Sequence, residues 1–162
     1  MDTELFNPTR RYKHFRPREA LRGSKGVAAP TNHATISIFN DSTGPRILVL
    51  RDILVTGTAN DLVATSYQPG QIGTSQGLVA PYLPSSGTLG GKIAGIDTAT
   101  AYAADYTIAL SSLGAYEWYH DFPYAVVEPG FSLVFQAITV AHATTVSAVW
   151  ESISIDELDF FW

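Results

Sequence analysis

The chain has no cysteine among its 162 residues, which excludes a disulfide framework and any thiolate metal site and leaves the redox compartment open. It also has few charges. Asp, Glu, Lys and Arg make up 15% of the residues, against about 25% in an average domain, so part of the surface is expected to be covered by partners. No apolar run precedes the basic residues of MDTELFNPTRR, which reads against a secretory signal. The one long stretch without Asp, Glu, Lys or Arg, Phe131 to Trp150, holds Gln136, His142 and several Thr and Ser, and its β-branched content suits strands rather than a membrane helix. No membrane association is expected.

The charges that are present are unevenly placed. Residues 1–26 carry seven basic and three acidic side chains, 7 − 3 = +4, and residues 27–162 carry three basic and twelve acidic ones, 3 − 12 = −9. The sequence therefore reads as a basic extended N-terminal arm, residues 1–32, joined to an acidic body, residues 33–162. In the arm the apolar residues keep no period for long. Only PREALR, Pro17 to Arg22, suggests a helical turn, with Gly23 as its stop. Residues 1–26 are expected to serve attachment and not folding.

From His33 onward the dominant period is two. ATISIFN and RILVLRDILVT read as strands joined by the turn residues between Asn40 and Pro45. Ser66 to Gly95, rich in Gly, Pro, Ser and Gln, reads as a long functional loop with room for an extra hairpin. Even-numbered apolar residues from Tyr102 to Leu110 and from Tyr116 to Val126 predict a strand pair turning near Gly114. FSLVFQAITV and TTVSAVWESISI predict a closing hairpin, in which the change from Val146, Ala148 and Trp150 to Ile153 and Ile155 marks a bulge or bend near Glu151. Seven to nine strands without a long helix give an all-β, two-sheet antiparallel sandwich for residues 33–162.

No catalytic constellation emerges. His14, His33, His120 and His142 are scattered, and no G-x-S-x-G elbow exists. His120 and Asp121 face opposite sides of a strand and cannot readily share a metal ion. Glu117 and Asp121 would share a face about 13 Å apart, too far for a retaining glycosidase pair. Neither an enzyme nor a cofactor is expected.

Two segments are candidate contact sites. Arg10, Arg11, Tyr12, Lys13, Phe15, Arg16, Arg18, Arg22 and Lys25 combine guanidinium forks with aromatic rings, side chains suited to acidic grooves on a partner protein. Nucleic acid is the less favoured partner because the −9 body would repel it. Phe160, Phe161 and Trp162 are too apolar to stand in water together and read as a subunit contact.

VVEPGFSLVFQAITVAHATTVSAVWES, Val126 to Ser152, resembles the C-terminal hairpin of jelly-roll proteins on the virions of tailed bacteriophages, in which a Pro-Gly turn precedes an apolar strand and a Thr- and Val-rich strand follows. The resemblance implies a jelly-roll-like sandwich and a noncatalytic capsid decoration or cement protein, assembled in the host cytoplasm and carried on the capsid surface. It would bind neighbouring shell subunits, so that the partner is the major capsid protein or another virion protein. It also implies a homo-oligomer, with a trimer as a candidate. The alternative is a tail, fibre or receptor-binding module that holds a host glycan.

Overall fold

The computed structural model describes residues 17–83, 89–119 and 123–156. They form two antiparallel six-stranded sheets packed face to face. The first sheet holds β1 (Ala20–Val27), β3 (Arg46–Gly57), β6 (Leu78–Pro81), β9 (Ala115–Tyr119), β10 (Ala125–Val127) and β12 (Thr144–Ser154). Its order is β10-β3-β12-β1-β6, and β9 also pairs with β3, beside the half that β10 leaves open. The second sheet holds β2 (His33–Phe39), β4 (Leu62–Pro69), β5 (Ser75–Gln76), β7 (Lys92–Thr98), β8 (Tyr106–Ala109) and β11 (Phe131–Ala137), in the order β5-β7-β2-β11-β4-β8. No helix among the described residues is long and apolar enough to cross a membrane.

The core lies between the sheets, where period-two strands bury one face. Leu48, Leu50, Ile53, Val55, Val146 and Trp150 meet Ile36, Ile38, Ile93, Leu133 and Phe135 in one cluster. In β3 the buried set passes from even to odd positions, and the ladder shows why. Val149 pairs with Asp52 and Trp150 with Leu50, so Arg51 is an extra residue bulged out of β3. The irregularity expected near Glu151 is therefore present, but its additional residue belongs to the neighbouring strand. β12 keeps its parity, and its odd residues face away from the main core. There Ile153 packs with Ile47, Val49 and Val126 in a second apolar cluster, and Glu151 receives the Arg51 guanidinium at 2.6 Å.

Three sequence expectations change. Residues 20–27, assigned by composition to the arm, are β1, an interior strand laddered to β12 on one side and β6 on the other. The basic and glycine-rich composition misleads because Gly23 sits under the Trp150 ring, where a Cβ would come 2.6 Å from Cη2. The predicted pairing of the strands around Gly114, and that of β11 with β12, also give way, since β8 and β11 lie in one sheet and β9 and β12 in the other. Finally, the long loop expected over residues 66–95 carries strands among its described residues. It completes β4 and supplies β5, β6 and β7, crossing between the sheets at Gly77, whose N–H donates to the Ile93 carbonyl and where a Cβ would sit 2.5 Å from the Ser24 carbonyl oxygen.

A truncation follows from β1. Removing residues 1–16 should leave a cooperative thermal transition and a strand-type circular dichroism spectrum, whereas removing residues 1–27 should abolish both, because two ladders and the cover of Trp150 are lost. Cooperative melting of the shorter chain would contradict the placement of β1.

Candidate binding trough on the outer face of the first sheet

On its solvent side the first sheet carries an open trough of about 460 Å³ that crosses β9, β3, β12, β1 and β6. Register explains its lining. Glu117 stands opposite Leu54, Asp52 opposite Val149, Ser147 opposite Ser24, and Leu78 opposite Ser24 on the far side, all on the face turned from the core. The middle of the floor is shallow because its side chains are small, with the Ser24 and Ser147 hydroxyls hydrogen-bonded at 2.9 Å. Leu54 and Val149 are half-buried beside them, and Leu78 on edge strand β6 is 85% exposed.

Charge is segregated along the trough. Asp52 and Glu117 occupy diagonal positions of adjacent strands at the β3–β9 end, where such neighbours lie about 7–8 Å apart. Arg22 lies toward the β1–β6 end, its guanidinium 5.8 Å from the centre of the Tyr82 ring. Partial burial raises the Asp52 carboxyl above its ordinary value of 3.8, and the neighbouring Arg51 charge opposes the shift.

A raised carboxyl favours the folded state most when it is protonated. Asp52→Asn should therefore melt higher than the parent chain near neutral pH, and the gain should disappear as pH falls through the folded value to below 3.8. A difference independent of pH would show that Asp52 is not desolvated.

The sequence candidates divide among places. Arg18 is exposed in the 3-10 turn Pro17–Glu19, and Arg22 lines the trough. Lys25 is on the opposite face of β1, where Nζ donates to the Ser75 hydroxyl at 2.7 Å. Alternation along the strand thus separates Arg22 from Lys25 instead of joining them in one patch. Arg10, Arg11, Tyr12, Lys13, Phe15 and Arg16 lie outside the described residues, as do Phe160, Phe161 and Trp162. Sequence reasoning missed Asp52, Leu54, Leu78, Ser147 and Val149. Only the odd-numbered run Thr145, Ser147 and Val149, opposite in parity to the core residues of the same strand, hinted at a small-residue outer face.

Two of the histidines are built into the frame. His33 Nδ1 lies 2.9 Å from the Ala137 carbonyl oxygen, and His142 Nδ1 lies 2.9 Å from Asp61, which also accepts from the Thr139 hydroxyl. That second cluster pins the connection before β12, at the end of the sandwich where Leu62, Leu113, Ile138 and Val140 are exposed. Among the described residues that line the trough there is no histidine to act as a base for Ser24 or Ser147. The arrangement fits binding of an extended, partly apolar and charged ligand. The chain matches no protein-family model, no curated protein and no solved structure.

Proposed function

We propose that this chain is a noncatalytic virion structural protein, a capsid decoration or cement protein of a tailed bacteriophage, which stabilises the shell by binding neighbouring capsid subunits. The observation that carries the reading is the shape of the trough. It is open, floored by small and apolar side chains across five strands, and acidic at one end, which suits a segment of protein chain more than a small substrate.

Strand order supports the jelly-roll part of the reading. Taking β9 and β10 as one broken strand and setting aside β5 to β7, eight strands remain, and from β1 to β4 they alternate between the sheets. The first sheet then runs β1-β12-β3-β9/β10 and the second β2-β11-β4-β8, the arrangement of two interleaved Greek keys. β6 and β7 extend the edges at β1 and β2. In this reading the basic arm joins copies to their neighbours, and the apolar loop end around Leu113 and Val140 offers a further contact surface. Repeated attachment would resist internal pressure by multivalency.

The test is sedimentation of the full chain with undecorated shells of the virus that encodes it, followed by heating of the decorated shells. Saturable co-sedimentation and a higher rupture temperature are expected. Shells that neither bind the chain nor gain stability from it would overturn the reading.

A further inference from the structure

We propose that the trough on the first sheet receives the N-terminal arm of a second copy of this chain. This rests on the assembly reading above and names the partner of that site. The arm has an internal order. Asp2 and Glu4 are followed by Leu5 and Phe6, and then by Arg10, Arg11 and Lys13. The trough has the matching order, from the Arg22 guanidinium beside the apolar edge residues Leu78 and Ala80, over Val149 on β12, to Asp52 on β3 and Glu117 on β9.

Dimensions agree. From β1 to β9 there are three strand spacings, about 14 Å, and the Arg22 guanidinium, which leans over the Tyr82 ring just past edge strand β6, extends the span toward a fourth, about 19 Å in all. An extended chain covers about 20 Å between Glu4 and Arg10. With Arg10 over Glu117, that rise sets Asn7 over Ser147 on β12, Phe6 and Leu5 over β1 and the apolar Leu78 and Ala80 of β6, and Glu4 beside the Arg22 guanidinium where it meets Tyr82.

The direction of this order selects the copy. The described part of each chain begins at Pro17, just before β1, which is the side of the trough where Arg22 stands. An arm folding back into its own trough would lay Arg16 against Arg22 and carry Leu5 and Phe6, with Asp2 and Glu4, beyond the acidic end. An arm arriving from the β9 side meets Asp52 and Glu117 with its basic residues first, and its acidic residues reach Arg22 last. That approach belongs to a neighbouring copy, and repetition links copies head to tail.

The absence of native cysteine makes the test direct. Full-length Asn7→Cys and full-length Ser147→Cys are prepared separately, mixed at the highest soluble concentration under mild oxidation, and resolved without reductant. The expected result is a disulfide-linked heterodimer of two 17.5 kDa chains, in large excess over either homodimer. Glu117→Lys in the Ser147→Cys chain should lower its yield severalfold, and Arg10→Glu with Arg11→Glu in the other chain should restore it. Ser24→Cys, whose native hydroxyl adjoins that of Ser147, replaces the second variant if folding suffers. No heterodimer above background with either trough cysteine overturns the proposal. So does self-closure of an Asn7→Cys, Ser147→Cys double variant into a cross-linked monomer without heterodimer in the mixture. Heterodimer formation without shell binding would leave arm exchange standing and remove the decoration reading, whereas shell binding without heterodimer would do the reverse.

Discussion

Trp150→Ala will destabilise the fold by about 3 to 5 kcal/mol, and toward the upper end of that range. The indole is fully buried between the sheets, and two of its neighbours are glycines. Gly23 lies against Cη2, and Gly91, at φ +110°, lies against the pyrrole edge. Neither has a side chain that could move into the space left by the ring, so the cavity would persist. The ring nitrogen also donates to the Gly90 carbonyl at 3.2 Å, a bond that phenylalanine could not replace. Urea unfolding should show Trp150→Phe between the parent and the alanine variant. Equal stability of parent and alanine variant would mean that the glycines do not frame the indole.

The second large effect lies at the bulge. Arg51 and Glu151 are buried, 8% and 0% exposed by side chain, with Nε 2.6 Å from Oε1. Removing one partner strands the other charge away from water, so Arg51→Ala and Glu151→Ala should each cost about 3 to 5 kcal/mol. Replacing both, as Arg51→Met with Glu151→Leu, should recover most of that loss, since the desolvation cost of both ions disappears together. Arg51 is the bulged residue itself, next to Leu50 in a strand whose core-facing set then resumes at Ile53 and Val55, and Glu151 stands opposite Val49 on the neighbouring strand. Additive single-variant losses in the double variant would contradict the coupling.

Much of the body was legible because period two is a local property. β2, β3, β11 and β12 appear where the sequence places strands, and Ile36 and Ile38 of β2 and Val146, Ala148 and Trp150 of β12 face inward as parity selects, whereas Ile153 faces away from the main core. Pairing was not legible. Adjacent strands in sequence suggest hairpins, but this chain sends β8 and β9 to different sheets, and likewise β11 and β12, which no local pattern records.

Alternation also overreached. Of residues 102–110 only Tyr106–Ala109 is strand, and Asp105 instead accepts from the Tyr67 N–H at 2.8 Å, closing the chain onto β4. β1 was hidden because its glycines signal a linker, while their cause, the Trp150 ring and the Thr145 side chain across the ladder, lies more than a hundred residues away.

The trough was hidden for a related reason. Its residues come from five strands and share a face only once the order β9-β3-β12-β1-β6 is known. Glu117 illustrates this, since the sequence compared it with Asp121, four residues along, and the fold sets it diagonal to Asp52 on the next strand. The charge split, in contrast, needed no fold, because it is a property of the chain order itself.

The most direct measurement of the proposed role is a cryo-electron microscopy map of the assembled particle from the virus that encodes this chain. Density for the two-sheet body should appear on the outside of the head, repeated over the shell and touching neighbouring capsid subunits, with an arm from one copy lying across the first sheet of the next. Density for the body confined to the tail or its fibres, or absent from the particle, would contradict it.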